Sequence, residues 1–153
     1  SVLRLAPMRR AEAASRRHAI ELMQRVGLGA WIDARADAMP YGALKRLEIA
    51  RALATEPKLL LLDEPAAGLN QTEAGEIDVL IRQLAREGTT VVLVEHNMRL
   101  VMGVSDRVLV LDRGARLAEG APDEVARDPR VIDAYLGAEA LPAAAAPAEA
   151  GHA

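Results

Sequence analysis

The sequence of 153 residues contains no cysteine and no phenylalanine, and only 2% of its residues are aromatic. The absence of cysteine excludes disulfides and thiolate metal sites and is compatible with a reducing cytoplasm. With so few aromatic residues, the core must be built from Leu, Val, Ile and Ala. No apolar run is long enough to span a bilayer. The N-terminal region does not resemble a signal peptide, because arginines such as Arg9 and Arg16 interrupt each apolar run there.

The overall charge and composition are those of an ordinary soluble domain. The formal net charge is -3, so nothing in the balance indicates a nucleic-acid or acidic-lipid partner. Arginines on the first predicted helix could form a docking surface, but they also fit a solvated helix face. The length is sufficient for one domain with a real core.

Four consecutive leucines, Leu59 to Leu62, precede Asp63, Glu64 and Pro65. A short apolar run closed by charge and proline predicts a strand that is buried on both faces. The two carboxylates then lie at the strand's end, where open α/β sheets bind their ligands. Such a pair suits a magnesium ion and an activated water in a nucleotide-hydrolysing enzyme. On this segment alone, a core strand followed by an acidic turn is an equally good interpretation.

Hydrophobic periodicity and turn residues predict the other elements. We expect helices at 7–26, 40–55, 71–87 and 98–104, and shorter ones around 122–127 and 129–136. We expect strands at 89–94, 107–112 and 115–119, the last two joined by a hairpin turn at Arg113 and Gly114. A strand, a long helix and a strand in succession form a βαβ unit, which implies parallel strands. Asn70 and Glu73 have the spacing of a capping box. From Gly137 the Ala- and Pro-rich tail is predicted to be disordered.

The start of the second long helix is a candidate phosphate site. Pro40 fits the first helical position, and Gly42 allows a backbone or a ligand to approach closely. Unpaired N–H groups and the positive end of the helix dipole favour an anion there. Ala43, Leu47, Ala50 and Ala54 form the predicted buried stripe of this helix. Taken alone, the same start also fits a helix that binds nothing.

Four motifs in order resemble the ATP-binding-cassette (ABC) ATPases. Met39 to Leu53 resembles the signature motif and its helix, and Leu59 to Glu64 resembles Walker B with the catalytic glutamate. Ala67 to Asn70 resembles the D-loop, and His96 resembles the switch histidine. The separations between the motifs are also typical of the family. The signature Pro-Tyr-Gly, the segment Asp63-Glu64-Pro65-Ala66-Ala67-Gly68-Leu69-Asn70, Glu95-His96-Asn97-Met98 and the end of the chain around 119–137 are similar to the ATP-binding subunits of bacterial branched-chain amino acid importers.

The resemblance implies roles for three residues and requires ATP and Mg²⁺ as cofactors. Asp63 would hold Mg²⁺, most readily through water, since this ion dehydrates reluctantly. Glu64 would orient and deprotonate the attacking water. His96 would contact the γ-phosphate and hold Glu64 and the water in place. Without the other motifs, a histidine after a strand would be interpreted as a cap or turn residue.

The resemblance also implies that the signature acts in trans, on ATP held by a second nucleotide-binding domain. The signature residues are Pro40, Tyr41, Gly42 and Ala43, and the D-loop residues are Gly68, Leu69 and Asn70. Pro40 replaces a common serine and Ala43 a usual glutamine, and the second change puts the strength of the contacts to ATP in doubt. Asn70 replaces a frequent aspartate, as in the importer subfamily.

The sequence contains no P-loop of the form G-x-x-x-x-G-K-[ST], which cradles the phosphates in this family. Its two lysines, Lys45 and Lys58, neither follow a glycine nor precede Ser or Thr. We therefore expect an α/β fold that is part of a P-loop (RecA-like) ABC nucleotide-binding domain and lacks the P-loop half. The expected division is helical subdomain at 1–56, catalytic core at 57–120, C-terminal helices at 121–137 and tail at 138–153.

Three functional hypotheses follow from the resemblance. The first is a truncated ATP-hydrolysing subunit of a branched-chain amino acid importer, inactive alone. Its implied partners are a second ATPase subunit, transmembrane permease subunits and, indirectly, a periplasmic binding protein, with no nucleic acid. Its implied location is the cytoplasmic face of the plasma membrane, through the permease. The second hypothesis is a partial cassette that binds a full nucleotide-binding domain. A third, DNA repair or translation, has no support from a coiled-coil insertion or a basic patch.

We also expect a marginally stable, aggregation-prone fold.

Overall fold

The computed structural model describes residues 5–136, and this part of the chain forms two compact units that divide between Asn97 and Met98. The first unit contains α1 (Leu5–Arg25), α2 (Tyr41–Leu53), β1 (Leu59–Asp63), α3 (Gln71–Arg86) and β2 (Thr90–Val94). Two single 3₁₀ turns, Gly29–Trp31 and Ala36–Ala38, connect α1 to α2. The second unit contains α4 (Met98–Val104), β3 (Val108–Asp112), β4 (Ala115–Gly120), α5 (Pro122–Val125), α6 (Pro129–Val131) and a π-helical turn at Ile132–Leu136. The domain division predicted from the sequence stays a prediction.

The helix α3 begins and packs as its sequence predicts. Asn70 is the N-cap, and its side chain accepts a hydrogen bond of 3.0 Å from the Glu73 N–H. The Glu73 carboxylate accepts one of 3.1 Å from the Asn70 N–H, which completes the capping box. The predicted apolar face is buried and consists of Ile77, Leu80, Ile81 and Leu84. Gly88, at φ 95°, follows the helix in a conformation that favours glycine.

The strands β1 and β2 pair in parallel, as the βαβ pattern predicts. Leu59 is paired with Thr90 and Asp63 with Val94, so the two strands end at the same edge. The prediction that β1 is buried on both faces is wrong. Leu60 is 4% exposed, but Leu61 is 68% exposed. Helix α3 packs against β2. Within the described residues, Leu61 and its partner Val92 are left largely exposed, so this part of the sheet is not covered.

The helix α2 starts one residue later than predicted. Pro40 is its N-cap rather than its first helical residue, with φ −65° and ψ 157°. Of the predicted stripe, Ala43 and Ala50 are buried, whereas Ala54 is exposed beyond the end of the helix. Leu47 is only half-buried. The buried residues of α2 are Gly42, Ala43, Ile49, Ala50 and Leu53.

Ion pairs connect the other helices of the first unit to α3. Arg46 of α2 contacts Glu76 at 2.7 Å, and Nε of Arg25 in α1 donates to Oε2 of Glu87 at 2.9 Å. Gly27 follows α1 at φ 75°, which agrees with its predicted position after the helix end. These two ion pairs connect α2 and α1 to α3 and its C-cap residue Glu87.

The second unit is built on the antiparallel pair β3–β4. Its turn residues Arg113 and Gly114 have φ values of 48° and 81°, as a tight hairpin with two left-handed residues requires. Its small core consists of Val108, Val110, Ala118, Val125 and Val131. No helix within residues 5–136 is long and apolar enough to cross a membrane. The predicted disordered tail lies outside the described residues.

Candidate functional site

The structure brings Glu64 and His96 together at the carboxyl edge of the parallel sheet. Glu64 follows β1 directly, and His96 lies two residues beyond β2. Because both strands end at this edge, Nδ1 of His96 comes within 3.1 Å of Oε1 of Glu64. Both side chains are accessible, at 51% exposed for Glu64 and 73% for His96. A ligand at the sheet edge could therefore reach both groups.

The backbone around Glu64 fixes the direction of its side chain. Its N–H donates to the Val94 carbonyl at 2.9 Å, which extends the ladder by one residue, and its carbonyl accepts from Ala67 at 3.1 Å. Its φ is 44°, in the left-handed region. The chain therefore turns sharply at Glu64, and the carboxylate leaves the sheet edge instead of continuing along the strand.

Glu64 and His96 can each still contact a ligand while they are hydrogen-bonded to each other. When Nδ1 carries the proton, it donates to Glu64, and Nε2 is available on the other side of the ring. A neutral ring then offers an acceptor at Nε2, and an imidazolium offers a second donor. The pair can therefore hold a carboxylate base in place while the ring contacts an anionic group.

Asp63 is exposed at the end of β1, next to Glu64. No group of three or more His, Asp or Glu side chains within the described residues could enclose a metal ion. Mg²⁺ suits such a place, because it is commonly held by one or two carboxylates together with waters and substrate phosphates. Asp63 would hold the ion, and Glu64 lies beside it. When bound with ATP, Mg²⁺ would supply positive charge that offsets the negative charge of the phosphates.

Glu95, which the sequence did not single out, connects two loops near this edge. Its Oε1 accepts a hydrogen bond of 3.2 Å from the N–H of Ala66, in the loop after β1. Its Oε2 lies 3.5 Å from the N–H of Asn97, beyond β2. One half-buried carboxylate thus connects the loops that follow both strands, close in sequence to Glu64 and His96. In the sequence, Glu95 could have been noticed as an acidic residue between the predicted strand at 89–94 and His96.

The signature and D-loop segments form a second cluster, at the starts of α2 and α3. The Tyr41 ring lies over Gly68, and Lys45 Nζ is 5.6 Å from the centre of that ring. Gly42 lies against the side chain of Glu73. Every residue of this cluster belongs to the first unit.

The exposure of the predicted signature and D-loop residues differs widely. Pro40 and Tyr41 are exposed, whereas Gly42 and Ala43 are buried, Ala43 at 1%. The Ala43 methyl group therefore packs in the core, so its backbone rather than its side chain would be the part nearest to a ligand. Asn70 is exposed, but its side chain is engaged in capping α3.

Comparisons with known families match two parts of the sequence. Residues 3–67 match the family described as ABC transporter. Residues 115–140 match the family described as branched-chain amino acid ATP-binding cassette transporter. The first match contains the signature and Walker B segments, and the second begins with β4.

Similar curated proteins include the high-affinity branched-chain amino acid transport ATP-binding protein LivG. The Salmonella typhimurium protein is 45% identical over 137 residues, which cover 89% of this chain and 54% of LivG. LivG of Escherichia coli K12 is 44% identical with the same coverage. The lipopolysaccharide export system ATP-binding protein LptB of Acidithiobacillus ferridurans is 37% identical over 90% of this chain and 56% of LptB. The chain thus spans about half the length of the curated relatives it matches.

Solved structures agree with these matches. The ADP conformation of MJ1267, an ATP-binding cassette of an ABC transporter, superposes with a TM-score of 0.72 at 31% identity, covering 79% of this chain and 49% of MJ1267. CbiO1 from Clostridium perfringens, part of the ABC transporter complex cbiONQ, superposes with a TM-score of 0.71 at 32% identity. The match covers 80% of this chain and 49% of the CbiO1 chain. The sequence motifs, the parallel βαβ unit and these likenesses lead to one conclusion: the chain belongs to the ATP-binding-cassette family and corresponds to part of its nucleotide-binding domain.

Proposed function

We propose that this chain works in ATP hydrolysis that drives the uptake of branched-chain amino acids. The observation that carries the proposal is the Glu64–His96 pair at 3.1 Å, on the sheet edge where the family's Walker B motif ends. The substrate class is supported by the family match at residues 115–140 and by the LivG relatives. The relative named for lipopolysaccharide export, LptB, shares less identity with this chain, 37%.

In the proposed reaction, the oxygen of a water bonds to the γ-phosphorus while the bond from that phosphorus to the β–γ bridging oxygen breaks. ADP leaves with the electron pair of the broken bond, and Glu64 accepts the proton that the water loses. The hydrogen bond from His96 keeps the carboxylate aimed at that water, and the far side of the ring contacts a phosphate oxygen. Asp63 would hold Mg²⁺, which would supply positive charge next to the phosphates. Glu95 keeps the loops after β1 and β2 together, so the catalytic pair does not separate when ligand binds.

The phosphates need a cradle that the 153 residues do not contain, since no P-loop motif is present. We propose that a P-loop outside these residues completes the site. The signature, Pro40 to Ala43, and the D-loop, Gly68 to Asn70, then act on ATP across a pair of nucleotide-binding domains. The proposed further partners are permease subunits in the membrane and, through them, a periplasmic binding protein. The proposed location is the cytoplasmic face of that membrane.

The test is hydrolysis of Mg-ATP by this chain mixed with a P-loop-bearing fragment of a LivG-type subunit that lacks its own Walker B segment, so that the rate depends on Glu64. Glu64→Gln should lower the rate on the order of 10²–10⁴-fold, which is the usual contribution of general-base catalysis. ATP binding should persist, because the amide has nearly the same shape. Glu12→Gln changes the same functional group at an exposed position of α1 and should have no effect. Equal rates for Glu64→Gln and the unchanged chain would exclude the proposed base.

A second candidate function is that of a binding module that lends its signature to a complete cassette without turning over ATP itself. The specific observation in its favour is a formed signature and D-loop cluster in a sequence without a P-loop. Both candidates predict that the isolated chain has no appreciable ATPase activity. Robust hydrolysis by the isolated chain that Glu64→Gln abolishes would contradict both. Retention of the chain on an immobilised P-loop-bearing subunit, with no gain in hydrolysis, would favour the module.

A further inference from the structure

We propose that Glu73 is a positioning residue that joins the start of the signature helix to the D-loop, so that both segments meet nucleotide as one rigid piece. The inference deepens the proposed function and rests on it for the role of these segments toward ATP. It adds a residue outside the four recognised motifs. The contacts that support it all lie within the first unit.

One oxygen of the Glu73 carboxylate is hydrogen-bonded to the D-loop. Its Oε2 accepts a hydrogen bond of 3.1 Å from the Asn70 N–H, and its own N–H donates to Asn70 Oδ1 at 3.0 Å. Because Asn70 is both the last D-loop residue and the N-cap of α3, this reciprocal pair fixes where the D-loop ends.

The other side of the same carboxylate lies against Gly42 of the signature. A Cβ placed on Gly42 would be 2.7 Å from Glu73 Oε1, 2.9 Å from Cδ and 3.2 Å from Cγ. A free glutamate would swing away from such a methyl group. Glu73 cannot do so without breaking its bond to Asn70, so a side chain at position 42 would release the cap of α3. The signature glycine and the D-loop cap therefore depend on each other.

A second contact connects the same two segments. The Tyr41 ring lies over Gly68, where an added Cβ would be 3.1 Å from Tyr41 Cε1. Gly68 is also left-handed, with φ 76°. Neighbouring residues of the signature, Tyr41 and Gly42, thus each rest on the D-loop side of the cluster. With two points of contact, one segment cannot rotate on the other about a single contact.

An ordinary helix cap makes a different prediction from this connection. If Glu73 only caps α3, its loss loosens the D-loop and the first turn of α3 and leaves α2 unchanged. If Glu73 also holds Gly42, its loss loosens the first turn of α2 as well. The reporter there is the N–H of Leu44, which donates to the Pro40 carbonyl at 3.1 Å. The reporter at the D-loop is the N–H of Ala74, which donates to the Asn70 carbonyl at 2.9 Å.

The first experiment measures amide hydrogen exchange in the purified 153-residue chain. Glu73→Ala should accelerate exchange at both reporters, Leu44 and Ala74, while the amides of β1 and β2 keep their rates and show that the fold is intact. Glu73→Gln keeps an oxygen acceptor and the same length, so it should restore slow exchange at both. Unchanged exchange at Leu44 in Glu73→Ala would overturn the inference and leave Glu73 as a simple cap. Asn70→Ala, which removes the other half of the capping box, should affect Ala74 more than Leu44.

The second experiment is a double-mutant cycle read by melting temperature. Gly42→Ala should lower the melting temperature of the unchanged chain. The same substitution should lower it by about half as much, or less, in a Glu73→Ala background, where the carboxylate it would displace is absent. Equal shifts in both backgrounds would show that the two residues act independently and would overturn the inference. This cycle does not involve ATP, so its result is separate from the proposed function.

The third experiment tests the consequence for nucleotide. A LivG-type subunit with its own signature glycine replaced can close over ATP only with the signature of this chain. ATP-dependent association of the two chains should weaken about tenfold in Glu73→Ala and recover in Glu73→Gln. If the unchanged chain associates and Glu73→Ala associates equally well, the inference is wrong. If the unchanged chain shows no ATP-dependent association, the proposed function fails, and the exchange and melting results still decide whether Glu73 joins the two segments.

Discussion

Asp78 on α3 is a single residue whose ionisation opposes folding. Its Oδ1 is buried and has no hydrogen-bond partner among the described residues. Burial raises the pKa of Asp78 above 3.8, the nearby Glu95 raises it further, and Arg82 partly offsets both. The folded chain therefore binds this proton more tightly than the unfolded chain does, so its stability falls as pH rises from 3.8 through the higher folded pKa.

We predict that Asp78→Asn increases stability at pH 7, because the neutral amide removes the cost of the buried charge. The increase should shrink toward zero at pH values below 3.8, where the aspartate is itself protonated. Urea denaturation of both chains at several pH values measures the difference. Asp106→Asn, at an exposed position, is the matched control and should show a much smaller effect. A gain for Asp78→Asn that does not depend on pH would contradict the explanation.

At the scale of elements, α3 contributes four buried side chains to the core of the first unit. Leu84 is 0% exposed, whereas Val79 on the same helix is 60% exposed. We predict that Leu84→Ala lowers the free energy of unfolding by about 2–5 kcal/mol, through lost burial and the cavity left behind. Val79→Ala should change it by less than about 0.5 kcal/mol. Denaturant titration of both variants checks the contrast, and similar losses in the two would be inconsistent with this packing.

The sequence predicts the elements well where the signal is local. The capping box at Asn70 and the periodic apolar face locate α3, and the βαβ pattern gives the parallel pairing that brings Glu64 to His96. Contacts between distant segments have no such signal. Nothing in the spacing of Gly42 and Glu73, or of Tyr41 and Gly68, indicates that each pair meets, because α2 and α3 are separated by β1 and its loop. The burial of β1 was predicted wrongly for a related reason, since four leucines do not reveal how many layers cover them.

At the scale of the whole molecule, the open face of the β1–β2 sheet is the main liability. Its exposed apolar side chains are Leu59, Leu61, Val92 and Val94, with exposures between 48% and 68%. Leu61 and Val92 are directly paired across the strands. Among the described residues this sheet has two strands, and an exposed apolar face beside strand edges favours association with other copies. The expectation of an aggregation-prone chain remains a prediction, and this face gives it a physical basis.

We predict that Leu61→Thr combined with Val92→Thr reduces self-association with little loss of stability. Threonine has the β-branched shape that strands favour. At Val92 it exchanges one methyl group for a hydroxyl, and at Leu61 it replaces a larger apolar side chain by a smaller one with a hydroxyl, both on an already exposed face. Light scattering at increasing concentration and binding of a hydrophobic dye measure the change. Leu60→Thr, at a position that is 4% exposed, should instead destabilise the fold. A monomeric unchanged chain with a sharp, reversible melt at high concentration would show that the open face does not drive association.

The left-handed backbone at Glu64 sets function against stability. At φ 44° a residue with a Cβ costs roughly 1–2 kcal/mol more than in ordinary conformations, and glycine avoids that cost. Glu64→Gly should therefore give a chain that unfolds at a higher denaturant concentration and lacks the base of the proposed reaction. A search for thermostable variants that ignored activity would accept the loss of this carboxylate. Under the proposed function, the side chain at this left-handed position serves chemistry at a cost to folding.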